Sequence, residues 1–241
     1  MATIDTSTTL AEIVARVPGV ERELEALSLD YCCGGGRTLA EACAEAGVDP
    51  AAVIERVEAV PAQAPPEWAS LGPAELADHV ESTHHAFLHA ELPRLVALAD
   101  KVAGVHGDHH PELGRVRDLV VALRDDLEPH LAKEERVLFP MIRELAASET
   151  APEFHCGSLR HPISVMMSEH DDTGRLLEEL RAASGDYATP EDGCASYRAL
   201  YEGLAAVEAD THLHVHVENN VLFPAVVALE DERGAPAAAS R

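Results

Sequence analysis

One eleven-residue pattern occurs twice in this chain of 241 residues, and it limits the fold more than anything else. "HLAKEERVLFP" begins at His130 and "HVHVENNVLFP" begins at His214, so both copies read H-x-x-x-E-x-x-V-L-F-P, 84 residues apart. A second pairing keeps nearly the same offset: His85 precedes the first copy by 45 residues and His170 precedes the second by 44. The chain therefore carries two versions of one helical hairpin, each with a lone His followed by a His-x-x-x-Glu. Residues four apart share one face of a helix, a turn apart. His130 with Glu134, and His214 with Glu218, can point together into a core. The apolar stripe continues in phase through Leu138, Met141 and Leu145 after Glu134, and through Leu222, Ala225 and Leu229 after Glu218. Ile163, Met166 and Leu177 share a stripe with His170.

Four imidazoles and two carboxylates among apolar residues would be costly without partners. Metal removes that cost. The supply suits two ions, each with two His ends, both bridged by the two Glu carboxylates. Mixed nitrogen and oxygen donors with unfilled positions suit iron, with manganese or zinc as alternatives. An oxo or hydroxo bridge derived from solvent is expected between two ferric ions, with about one open position on each for dioxygen or nitric oxide. Of the neighbours His84 and His85, spacing and the following Leu88 favour His85. His212 and His216 lie about 200° around the helix from His214 and are assigned to a solvated face, ahead of a second metal site there.

The surrounding pattern is all-α. Long helical segments are expected near 73–100, 111–147, 163–184 and 191–232, with polar loops at 101–110 and 148–160, which makes a four-helix bundle. Aromatic residues are only 4% of the chain, so the core must be mostly Leu, Val, Ala and Met. Pro129 and Pro140 fall inside the second segment and Pro224 inside the fourth, where kinks are expected. Before these helices, residues 7–60 read as short helices. Thr38 with Glu41 has capping-box spacing, Gly47 ends that piece, and Asp49-Pro50 starts the next. "PAQAPPEW" has three prolines in eight residues and reads as a linker. The domains expected are thus 1–66, a small helical domain with its linker, and 67–241, the bundle.

The formal charge of −25 argues against nucleic acid and against anionic lipid. No apolar stretch is long enough to span a membrane, and the first residues lack the pattern of a secretory signal. Five cysteines do not form a disulfide framework, and a reducing cytoplasm is the expected location.

Together these features resemble the hemerythrin-type di-iron bundle, and more closely the iron–sulfur cluster repair di-iron proteins. "HPISVMMSEHDDTGRLLE" and the two repeat segments resemble that family's motifs, and "LDYCCGGGRTLAEAC" resembles its small N-terminal domain. The resemblance implies a hemerythrin-like bundle with a non-haem di-iron centre held by His85, His130, Glu134, His170, His214 and Glu218. It implies a cytoplasmic response to oxidative or nitrosative stress, with damaged or apo iron–sulfur proteins as partners, served by donated iron. Glu169 and Asp126 are acidic positions beside ligands, suited to an outer support or an iron path. Members of the family often carry Glu where Asp126 stands, and Pro129 is another departure from their pattern. Two other functions compete: an iron enzyme reducing nitric oxide or dioxygen, and a gas-binding carrier or sensor. Exposed Ala and Leu on the small domain could support a homodimer.

Cys32 and Cys33 distinguish a repair protein from a simple carrier. Adjacent residues do not easily aim both sulfurs at one ion, so the pair is assigned a redox or transfer role. Free amides at Gly34, Gly35 and Gly36, near the helix that Thr38 starts, are expected to favour thiolate.

Overall fold

The computed structural model describes residues 4–234. Four helices make the small domain: α1 Leu10–Arg16, α2 Glu21–Ala26, α3 Leu39–Ala46 and α4 Pro50–Ala59. Their ends follow the local chemistry. Thr9 with Glu12, and Thr38 with Glu41, form reciprocal capping boxes. Gly47 closes α3 at φ +69°, which a residue without Cβ adopts freely, and Asp49 caps α4. Leu10, Ile13, Val14, Leu24, Leu39, Val53 and Val57 form the domain's own core. One bundle residue, Val215, joins that core.

Four long rods follow the segment 61–66 and a 3-10 turn, Glu67–Ser70. The first is α5 Pro73–Val80, a π-helical turn Glu81–His85, and α6 Ala86–His106. The second is α7 Glu112–Lys133, a π turn Glu134–Leu138, and α8 Phe139–Ala147. The third, α9 Arg160–Ala183, is unbroken. The fourth is α10 Ala195–Val217, a π turn Glu218–Leu222, and α11 Phe223–Gly234. In the bundle α6 packs on α7 and α10, and α7 on α9. No strand is present among the described residues, and no described helix is long and apolar enough to cross a membrane.

The loop expected at 101–110 is shorter than the sequence suggests, because α6 runs on to His106. Val102 continues the buried stripe of α6 and holds that last turn against the core. The prolines also act differently from expectation. Pro93 and Pro129 sit inside continuous α-helix. Pro140 and Pro224 sit second in α8 and α11, directly after wide turns. Proline has no N–H to donate, and a helix restarting after a wide turn asks for none there.

Two apolar clusters divide the bundle along its length. One holds Leu88, Leu92, Leu123, Leu127, Leu131, Leu177 and Val207. The other holds Val80, Leu138, Phe139, Ile163, Met166, Val217, Leu222 and Phe223. The polar residues of the repeat lie near the level where one cluster gives way to the other.

Candidate metal centre

Three of the six residues that the repeat singles out sit on the wide turns. His85 ends the first, Glu134 opens the second and Glu218 opens the third. A π turn widens the helix by one residue and swings the following side chains around the axis. His130, His170 and His214 come from regular helix. All six are at most 2% exposed, and both glutamates are completely buried.

Their donor atoms fall into two sets, each within 4.8 Å: His85, Glu134, His214 and Glu218, and His130, Glu134, His170 and Glu218. Each set takes one His from each repeat, and both glutamates belong to both sets. Glu134 Oε2 is 3.4 Å from His85 Nε2 and 3.4 Å from His130 Nε2. Glu218 Oε2 is 3.1 Å from His170 Nε2 and 3.2 Å from His214 Nε2. The Nε2 atoms of His130 and His170 face each other at 3.1 Å.

Both oxygens of Glu134 and of Glu218, together with Nε2 of His85 and of His214, are buried without a hydrogen-bond partner. Leaving such groups unpaired costs roughly 1–3 kcal/mol each, more when charged. A cation with nitrogen and carboxylate ligands satisfies all of them, so the donor set fits metal. Burial opposes charge throughout, yet opposite charges win at most positions. Burial is the largest single influence on His130, but Glu134, Glu218 and Glu169 together outweigh it and push its pKa up to about 9, and His85 is likewise raised against burial by Glu134, Glu218 and Glu135. Burial would raise Glu218, but His214 and His170 hold it well below the usual carboxylate range. At His214 burial prevails and the pKa falls.

Outer groups fix three of the four imidazoles through Nδ1. Glu169 holds His130 at 2.9 Å, Glu135 holds His85 at 3.1 Å, and Asn219 holds His170 at 2.9 Å. Such partners set the tautomer and the ring orientation. Glu169 also pairs with Lys133 at the surface. Asp126, the other acidic residue singled out from sequence, accepts a hydrogen bond of 2.6 Å from Thr173 and has no hydrogen bond to any of the six. Glu135 and Asn219 were not anticipated. A signal for them exists: they follow the repeat glutamates at the same place in both copies.

Two other histidines are also buried, and one of them departs from expectation. His216 is wholly buried rather than solvated, because the small domain covers it, and its Nδ1 lies 3.2 Å from the Tyr31 carbonyl. His84 is buried too, 2.9 Å from Asp210 Oδ1 and stacked on His214 with ring centroids 5.4 Å apart. His85, not His84, joins the site.

The cysteine pair sits where the small domain meets the fourth rod. Asn220, two residues past Glu218, donates to the Cys32 carbonyl at 2.9 Å. The expected thiolate is not supported by its surroundings. The amides of Cys32, Cys33 and Gly34 donate to the Asp30 carboxylate and not to sulfur. The contact with Cys33, burial and the Asp30 charge together hold the Cys32 thiol well above its ordinary pKa.

A helical bundle with paired His sets sharing two buried glutamates defines a hemerythrin-like cation-binding protein. Comparison with known families agrees. Residues 76–226 match the Hemerythrin HHE cation binding domain, and residues 6–61 match a domain of unknown function, DUF542. The chain is 36% identical over 223 residues to the iron-sulfur cluster repair protein YtfE of Escherichia coli O157:H7, covering 92% of this chain and 97% of that one. The YtfE of Shigella boydii serotype 4 (strain Sb227) is 35% identical over the same shares. The chain belongs to the hemerythrin HHE family, and within it to the iron–sulfur cluster repair proteins, and it joins this bundle to a DUF542 domain.

Proposed function

We propose that the chain is a non-haem di-iron protein that supports repair of iron–sulfur clusters damaged by oxidative or nitrosative stress. His85, His214, His130 and His170 are the terminal ligands in this reading, and Glu134 and Glu218 are the bridges. One observation carries it: both glutamates belong to both donor sets, with all six residues buried. Relatives covering nearly the whole chain are named iron-sulfur cluster repair proteins. Iron held there supplies a ferrous–ferric couple and a releasable stock of metal for apo clusters.

The chain's own groups do the positioning. Glu169, Glu135 and Asn219 aim three imidazoles, and the two apolar clusters keep bulk water from the centre. Glu169 is a quarter exposed and bridges His130 to Lys133, so it offers a polar opening from the centre to solvent. The cytoplasm, where the five free thiols stay reduced, is the compartment that this role requires.

The test mixes the iron-loaded protein with an apo-ferredoxin, sulfide and reductant. Cluster assembly faster than with free iron supports donation. Assembly no faster removes it. Consumption of nitric oxide over many cycles would establish a reductase instead.

A further inference from the structure

Adjacent cysteines do not easily aim both sulfurs at one ion, but in this turn the two sulfurs and a carboxylate oxygen do converge, in the geometry of a metal chelate. Cys32 Sγ lies 4.0 Å from Cys33 Sγ and 3.2 Å from Asp30 Oδ1, and the three donors fall within 4.8 Å of one another. Both thiols are free. Two sulfurs each about 2.3 Å from one tetrahedral ion stand about 3.8 Å apart, close to the separation found here.

The donors are also held in place. Asp30 Oδ1 accepts the amides of Cys32 at 3.1 Å and Cys33 at 3.0 Å, and Oδ2 accepts that of Gly34 at 2.8 Å. The Arg37 guanidinium approaches only the Oδ2 side, at 3.7 Å. Asn220 pins the Cys32 carbonyl from the bundle. Gly35 passes so close beneath that a Cβ there would stand 2.6 Å from Asn220 Oδ1. One flank of the pair is covered, with Cys32 8% exposed, while Cys33 and Asp30 reach the surface.

We infer that Asp30, Cys32 and Cys33 form a third cation site, which takes a thiophilic divalent d-block ion and leaves a fourth position open to solvent or to a partner's donor. Thiolate sulfur selects soft and borderline ions, and the two thiol protons pass to solvent as the ion binds. The site stands on its own residues and does not depend on the metal content of the bundle. Its sulfur donors also separate it spectroscopically from the nitrogen and oxygen set of the core.

The experiment titrates cobalt(II) into the reduced, full-length chain carrying Cys156→Ser and Cys194→Ser. Among its cysteines, Cys43 stays fully buried. The expected result is a near-ultraviolet thiolate-to-cobalt charge-transfer band, saturating at about one equivalent per chain beyond what the bundle takes up. Cys32→Ser with Cys33→Ser should abolish the band and leave uptake by the bundle intact. Asp30→Asn should weaken cobalt binding at the cysteine pair about tenfold or more. Cadmium should also slow alkylation of Cys33 in the unmutated chain, a readout that needs no variant to fold. A reduced chain that gives no band, or a band that survives loss of both cysteines, overturns the site. So does unslowed alkylation under cadmium.

Discussion

His130 Nε2 and His170 Nε2 face each other at 3.1 Å in the core, one from each repeat. Two imidazole nitrogens held this close must share either a proton or a cation. The carboxylates beside them, Glu134 and Glu218, have no hydrogen-bond partners, and this favours the cation.

Metal should therefore stabilise the fold. At free iron about a hundred times the Kd, binding to the native state alone contributes about 2.7 kcal/mol. For a chain of this size that is a rise in Tm of roughly 5–10 °C. Glu134→Gln with Glu218→Gln should remove the iron-induced rise, measured by calorimetry with and without iron.

The outer partners should tune affinity without touching iron. Glu135→Ala frees His85, and Asn219→Ala frees His170. Each should weaken iron binding about 10–100-fold, read by competition with a chelator, while helical content stays unchanged.

Proton competition gives a pH dependence. The folded, metal-free protein raises His130 from its ordinary value of 6.5 to about 9. A raised folded pKa contributes stability that is complete below the unfolded pKa and lost as pH rises through the folded one. The Tm of the metal-free protein should fall between about pH 6.5 and 9. Iron must displace that proton, so iron affinity should rise over the same window. A flat Tm, with affinity independent of pH, would contradict the electrostatics.

Thiol reactivity should rank opposite to what the sequence suggests. Cys194 is exposed at the start of α10, and its Sγ lies 3.2 Å from His106 Nε2. The Tyr197 amide and His106 lower its pKa to about 7, while Cys32 is pushed up. Alkylation should be fastest at Cys194, with a half-maximal rate near pH 7 in line with that pKa, and slow at Cys32. Peptide mapping after brief treatment with iodoacetamide checks the order.

What was legible in the sequence follows from what a repeat can encode. The His-x-x-x-Glu spacing and the apolar stripe pointed to four of the core residues, because residues four apart share a helix face, and the repeat offset pointed to His85 and His170. The wide turns were not legible as such. Proline marked where two of them end, but Glu81–His85 has no proline to announce it. Burial of His216 depends on the docking of a separate domain, which a pattern within one helix cannot show. For the cysteines, three glycines suggested free amides, but the Asp30 side chain two residues upstream takes those of Cys32, Cys33 and Gly34. The sequence contains Asp30 but not the rotamer that turns it inward.

Iron content under iron-replete expression, combined with Mössbauer spectroscopy of the purified chain, tests the central claim most directly. The shared glutamates predict about two irons per chain, magnetically coupled, and their loss in Glu134→Gln with Glu218→Gln. About one iron per chain or fewer, or two irons that persist without both glutamates, would contradict it.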